Sequence, residues 1–289
     1  MGFALICVLA ILITAGARIA SAETAPGARA AFTPPPESAI PGGPLGDAIR
    51  HGEKILSSTQ VYAKRFVGNG LNCTSCHLNG GRTPDAAPLV GLWGVFPAYE
   101  ARSARVETLE DRINDCFRRS MNGRPLPLDG REMRSLLAYI RWLSQDVPTG
   151  VEVQGRGFRT IAAPGAPDPA NGRKLYEAKC AACHGTNGQG MTGAGGAYIF
   201  PALWGPKSFN IGAGMARLSV AAAFVKAKMP LGQGGALSDQ EAYDIAAYFI
   251  AQPRPDFAGR KNDWPKGGKP ADAPPPEELP DEPPPDVPF

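Results

Sequence analysis

Two copies of Cys-x-x-Cys-His, Cys73-Thr-Ser-Cys76-His77 and Cys180-Ala-Ala-Cys183-His184, constrain this chain more than any other feature. The pattern is that of c-type haem attachment. On a helical turn, thiols three positions apart face the two vinyl groups of one porphyrin, and the next residue carries its imidazole under the iron. A zinc site would need further ligands, yet the only other histidine is His51. A disulfide framework would not need His after both pairs. Two covalently bound haem c groups are therefore expected, with iron held by His77 and His184.

The segments after the two motifs echo each other. Pro88-Leu89-Val90-Gly91-Leu92-Trp93-Gly94 answers Pro201-Ala202-Leu203-Trp204-Gly205, and each precedes two helical patterns. Such internal similarity marks a duplication. The expected fold is all-α, with two class I cytochrome c-like domains joined by a linker. The first domain spans 46–146, with a helix through His51 to Ser57 and another over 131–144 capped by Asp129 and Glu132. The linker is 147–167. The second domain spans 168–272, with helices over 171–179 and 239–251, the latter opened by a Ser238/Glu241 capping box. No stretch alternates long enough to demand a strand.

Residues 1–22 read as a signal peptide, an apolar run ending at Ala20-Ser21-Ala22, and imply a periplasmic protein without a membrane span in its mature form. Residues 23–45 form an N-terminal extension. Residues 273–289 are acidic and Pro-rich, a composition that cannot bury a core. The 30 Lys and Arg residues nearly balance 27 Asp and Glu, which excludes the basic stripe of a nucleic-acid binder. Gly188-Gln189-Gly190-Met191-Thr192-Gly193 matches a dinucleotide fingerprint but follows no strand, so its glycines are read as close-approach positions beside a haem.

The sixth ligands separate a carrier from an enzyme. In the second unit Lys228-Met229-Pro230 offers Met229, with Met191, Met215 and a deprotonated Lys228 as competitors. In the first, Arg112, Cys116 and Ser120 recur at i, i+4, i+8 along one helix face. Cys7 leaves with the signal peptide, so Cys116 is the unpaired thiol. Neighbouring arginines are expected to lower its pKa and favour thiolate. The alternative is an inert Cys116 with Met121 as the ligand of a carrier haem. His51 reads as a helix or core histidine.

At these residues the chain resembles the dihaem thiosulfate dehydrogenases that form tetrathionate. The resemblance covers roughly 46–272, including the run from Arg112 to Gly123, the Lys228-Met229 pair and Asp263-Trp264-Pro265. It implies His77/Cys116 ligation at a catalytic haem and His184 with Met229, or Lys228, at a haem that passes electrons on. It also implies Arg102, Arg112 and Ser120 around the substrate. The implied partners are thiosulfate, tetrathionate and an acceptor such as a small soluble cytochrome c or iron-sulfur protein. The chemistry fits, because joining two thiosulfates releases two electrons and two haems each hold one. A carrier cytochrome, a haem subunit of a sulfur-oxidising complex and a dihaem peroxidase are the competing readings.

Overall fold

The computed structural model describes Met1 and residues 29–162 and 165–274. The expected signal segment, Cys7 and the tail beyond residue 274 lie outside the described residues. Each unit is a helical frame around one motif. In the first, α1 (Gly43–Ser57) crosses α5 (Arg131–Leu143). Helix α1 buries Ile49, Gly52, Ile55 and Leu56, and α5 buries Met133, Leu136, Tyr139, Ile140 and Leu143. Both sets follow helical spacing, which is why each helix presents one apolar stripe to the other. Between them lie the one-turn helices α2 (Thr59–Tyr62) and α3 (Leu78–Gly81), and α4 (Leu109–Arg119).

In the second unit α6 (Pro169–Lys179) crosses α9 (Asp239–Ile250), and α8 (Leu218–Lys228) packs on α9. The one-turn α7 (Ala181–His184) carries the second motif. Both crossings are close. A Cβ on Gly52 would lie 2.2 Å from the Ser135 carbonyl oxygen, and one on Gly172 would lie 1.9 Å from that of Asp244. Asp244, 2 % exposed, accepts hydrogen bonds from Asp168 N–H at 2.9 Å, Asn171 Nδ2 at 2.8 Å and Gln240 Nε2 at 2.7 Å. Burial alone would raise its pKa, yet these three donors outweigh burial and hold the carboxyl below its ordinary value.

Several expectations meet corrections. The Ser238/Glu241 capping box forms, with Ser238 Oγ accepting from Glu241 N–H at 3.1 Å. Helix α5 instead starts from Gly130 without a side-chain cap, so Asp129 and Glu132 are not a cap pair. The fold is mostly helical but not wholly so. Strands β1 (Ala98–Glu100) and β2 (Arg105–Glu107) form one antiparallel hairpin, and β3 (Met191–Thr192) and β4 (Tyr198–Phe200) form another. Strands of two or three residues are too short to show a period of two in sequence.

Residues 147–162 run along the first unit. Val153 is 1 % exposed and bridges Ala30, while Phe158 bridges Ala86. The carbonyls of Gly155 and Gly157 accept from Asp85 N–H and Ala87 N–H, each at 2.7 Å. Buried asparagines join the two units. Asn69 Nδ2 donates to the Ser120 carbonyl at 2.7 Å and the Ser208 carbonyl at 3.0 Å. Asn210, 1 % exposed, donates through Nδ2 to the Arg118 carbonyl at 2.9 Å. Among the described residues no helix is long and apolar enough to cross a membrane.

Candidate functional site

Each motif closes a helical turn. The backbone N–H of His77 bonds to the Cys73 carbonyl, and that of His184 to the Cys180 carbonyl, each at 2.9 Å. His77 Nδ1 lies 2.6 Å from the Ala87 carbonyl oxygen, and His184 Nδ1 lies 2.9 Å from that of Pro201. A carbonyl only accepts, so both Nδ1 atoms carry the proton and both Nε2 lone pairs are left for a metal. Burial lowers both imidazole pKa values and keeps the rings neutral, the form that ligates iron. Burial also pushes the Cys73 thiol up to about 11 and the Cys76 thiol up to about 12, so both are protonated at neutral pH before any group is attached. Thr59 Oγ1 accepts from Cys73 N–H at 3.0 Å and fixes the start of the first motif.

The second motif opens on a cleft of about 360 Å³ lined by Cys180, Cys183, His184, Met215 and Met229. That volume belongs to small-molecule or cofactor sites, typically ~300–1,000 Å³, rather than to trapped water. The residues fit a haem: two thiols, an imidazole with a free Nε2 and two thioethers share one apolar cleft. Met229 is the C-cap of α8. Of the candidate distal side chains, Lys228 and Met191 are absent from this lining. Cys76, Leu71 and Asn72 of the first unit complete the wall, so the two motifs border a common space.

At the first motif Cys116 sits on α4, opened by a capping box in which Thr108 Oγ1 accepts from Asp111 N–H at 3.2 Å. A negative charge on Cys116 raises the pKa of Cys73 and Cys76, so its field reaches the attachment thiols. Burial pushes the Cys116 thiol itself above its ordinary value, against the pull of Arg112, Arg102 and Arg119. The arginines act in the expected direction, but desolvation is larger, so the expectation of a lowered pKa is corrected. Arg112 also pairs with Asp115 at 3.5 Å, and Ser120 caps α4. Arg102 stands in the β1–β2 turn, where burial and Arg119 both lower its pKa. Its Nη1 donates to the Gly212 carbonyl at 3.0 Å and its guanidinium lies 5.0 Å from the Trp264 ring centroid.

Other groups around Arg102 are not evident from spacing. Arg119 donates to both carboxylate oxygens of Asp263 at 2.7 Å, to Asp115 at 2.6 Å and to the same Gly212 carbonyl at 3.3 Å. The signals available were the arginine run in α4 and the Asp263-Trp264-Pro265 motif, without anything to join them. Met121 is in the hydrophobic core at 3 % exposure. His51 Nδ1 lies 3.0 Å from Ser135 Oγ, a partner within its own helix pair.

Two helical units, each with a Cys-Cys-His turn, a carbonyl-oriented histidine and a fitting ligand set, define a dihaem c-type cytochrome with two covalently bound haems. Residues 57–149 match the SoxA/TsdA cytochrome c domain family, and residues 167–249 match the cbb3-type cytochrome c oxidase subunit III family. The chain belongs to the thiosulfate dehydrogenase family. It is 49% identical over 243 residues to the thiosulfate dehydrogenase of Allochromatium vinosum, covering 83% of this chain and 89% of that protein. To the thiosulfate dehydrogenase of Psychrobacter arcticus it is 48% identical, covering 82% and 73% of the two chains. The fold is similar to the thiosulfate dehydrogenase TsdBA of Marichromatium purpuratum, with a TM-score of 0.75 and 41% identity over 78% of this chain. The match spans 50% of that longer chain.

Proposed function

We propose that this protein is a periplasmic enzyme that joins two thiosulfates into tetrathionate, and that runs the reaction in reverse when tetrathionate is supplied. Cys116 is the reacting sulfur and, with His77, would hold the iron of the first haem, while His184 and Met229 would hold that of the second. The observation that carries this reading is the half-buried Cys116, whose charge acts on the first attachment thiols and which lies within the field of three arginines. Burial favours the thiol, but a thiol coordinated to a metal loses its proton outright, so ligation reverses that preference.

Each haem, when bound, supplies a one-electron acceptor, and the pair holds the two electrons that one S–S bond releases. The Cys116 thiolate joins the terminal sulfur of one thiosulfate, giving Cys116–S–S–SO₃⁻ and two electrons. The terminal sulfur of a second thiosulfate then attacks that bound sulfur, forms tetrathionate and returns the Cys116 thiolate as leaving group. A thiosulfate dianion has to approach the negatively charged Cys116–S–S–SO₃⁻ in this step. Arg112 and Arg102 act most strongly when that repulsion peaks, which makes their contribution a transition-state one. Ser120 adds a hydroxyl at the end of the same helix face. A small soluble cytochrome c or iron-sulfur protein then collects the electrons.

The test is Cys116→Ala, with Cys116→Ser as a second variant should the first lose haem. Thiosulfate turnover with an artificial acceptor should fall about a thousandfold with both haems attached. The low-spin thiolate signal of the first haem should vanish in electron paramagnetic resonance. Undiminished tetrathionate formation in either haem-replete variant overturns the assignment.

A further inference from the structure

Asp263-Trp264 belongs to a C-terminal strap, residues 257–274, that folds back from the second unit onto Arg102. The strap is pinned by Trp264 N–H donating to the Arg102 carbonyl at 2.7 Å and by the paired bonds between Asp263 and Arg119. Beneath it lies a cavity of about 110 Å³ lined by Arg102, Arg217, Arg260, Lys261, Asp263, Trp264 and Lys269. This is more than the ~30 Å³ share of one water and well below the ~300 Å³ of a drug-sized ligand.

Its charge is one-sided. Among the described residues Asp263 is the only carboxylate on the lining, and both its oxygens are turned to Arg119. Arg217 pairs with Asp272 at 3.0 Å and Arg260 with Asp256 at 2.9 Å. Arg102 and Lys261 have no carboxylate partner among the described residues, and Lys269 donates to a carbonyl, that of Pro274, at 2.8 Å. Three cationic groups, Arg102, Lys261 and Lys269, therefore line a small cavity without a carboxylate ion-pair contact among the described residues, although the field of Asp263 and Asp115 reaches Arg102. Arg102 belongs to the lining and its charge also acts on Cys116, so it links the cavity electrostatically to the reacting sulfur.

We propose that this pocket is a separate subsite for a tetrahedral oxyanion, a loading position from which a second sulfur oxyanion reaches Cys116. Guanidinium and ammonium groups converging on a confined volume recognise sulfonate and sulfate oxygens by charge-assisted hydrogen bonds. The identity of the natural anion as thiosulfate rests on the function proposed above, whereas the pocket itself does not. A loading site answers a specific need of that reaction. One cysteine must meet two dianions in succession, and a second anion already held nearby replaces a bimolecular encounter by a local transfer.

Selenate, a tetrahedral dianion that cannot form the S–S bond, is the probe. Calorimetric titration of the oxidised holoenzyme should show selenate binding that weakens as salt screens the charges. The double variant Lys261→Gln/Lys269→Gln should weaken it about tenfold or more, while Lys266→Gln, on the same strap outside the lining, should leave it unchanged. Cys116→Ala should retain selenate binding although it cannot turn over, which separates the pocket from the catalytic reading. In steady state the double variant should raise the thiosulfate KM about tenfold with kcat within about twofold. Wild-type selenate affinity in the double variant overturns the proposal. So does loss of binding in haem-replete Cys116→Ala, or a shifted haem potential in the double variant with selenate binding intact, which would assign the lysines to haem carboxylates.

Discussion

Cys116 combines two opposed influences: the cost of burying its charge, and the attraction of the guanidinium groups of Arg112, Arg102 and Arg119. Removing one arginine leaves the cost and reduces the attraction. Arg112→Gln and Arg102→Gln should each lower kcat/KM for thiosulfate about 10- to 100-fold, the worth of a charged hydrogen bond of ~1.5–3 kcal/mol. Both haem spectra should stay intact, and Arg131→Gln, on an exposed position of α5, should match the wild type. Unimpaired turnover in both active-face variants removes the anion-clamp role. The Arg112, Cys116 and Ser120 face is legible in the sequence because a helix places i and i+4 together without help from the rest of the fold. Arg119 and Asp263 are not legible in that way, since their pairing closes over 144 residues and no local periodicity encodes it. The thiol's raised pKa is likewise hidden, because desolvation depends on what the folded chain stacks around the sulfur.

At the level of elements, the duplication extends to a shared packing device. Gly52 of α1 and Gly172 of α6 each let a helix backbone touch the closing helix of its own unit. Gly172→Ala gains up to ~1 kcal/mol of helix propensity but meets the Asp244 carbonyl, and overpacking of this kind costs about 1–3 kcal/mol. The thermal midpoint should therefore fall, as it should for Gly52→Ala, and a rise in either would show that the crossing has slack. The motif echoes and helix spans are legible in sequence, since apolar spacing and the Ser238/Glu241 box are local signals. The glycine contacts and the hairpins of two- and three-residue strands carry no such signal. Asp244 adds a pH dependence. Its folded pKa lies below the ordinary 3.8, so its stabilisation is fully present above that value and is lost as pH falls through the folded pKa. Asp244→Asn should lower the midpoint at neutral pH and flatten its decline on acidification. A parallel decline in both proteins would show that Asp244 is not a source of the acid response.

For the whole molecule, the two units are joined through buried polar groups. Asn69, Asn210 and the Arg119–Asp263 pair, whose side chains are 9% and 7% exposed, all cross between them. Breaking one partner of a buried pair leaves an uncompensated charge, typically ~3–5 kcal/mol. Asp263→Leu should destabilise the protein by less than that amount, because Asp115 still pairs with Arg119, and Arg119→Met combined with Asp263→Leu should recover part of it. Calorimetry of the haem-loaded variants checks both, and an unchanged midpoint in Asp263→Leu would mean the pair is not buried in solution. The segment between the units has a different kind of consequence. His77 is oriented by the Ala87 carbonyl, Ala87 has a φ of 46°, and its N–H is held by Gly157. A residue so far from the histidine in sequence thus helps to hold the loop that aims it. The units are consequently not interchangeable cassettes divided at residue 147. Chimeras that exchange the second half with a relative's should keep residues 147–162 with their own first half, because recombination upstream of them transplants part of the proximal histidine's support.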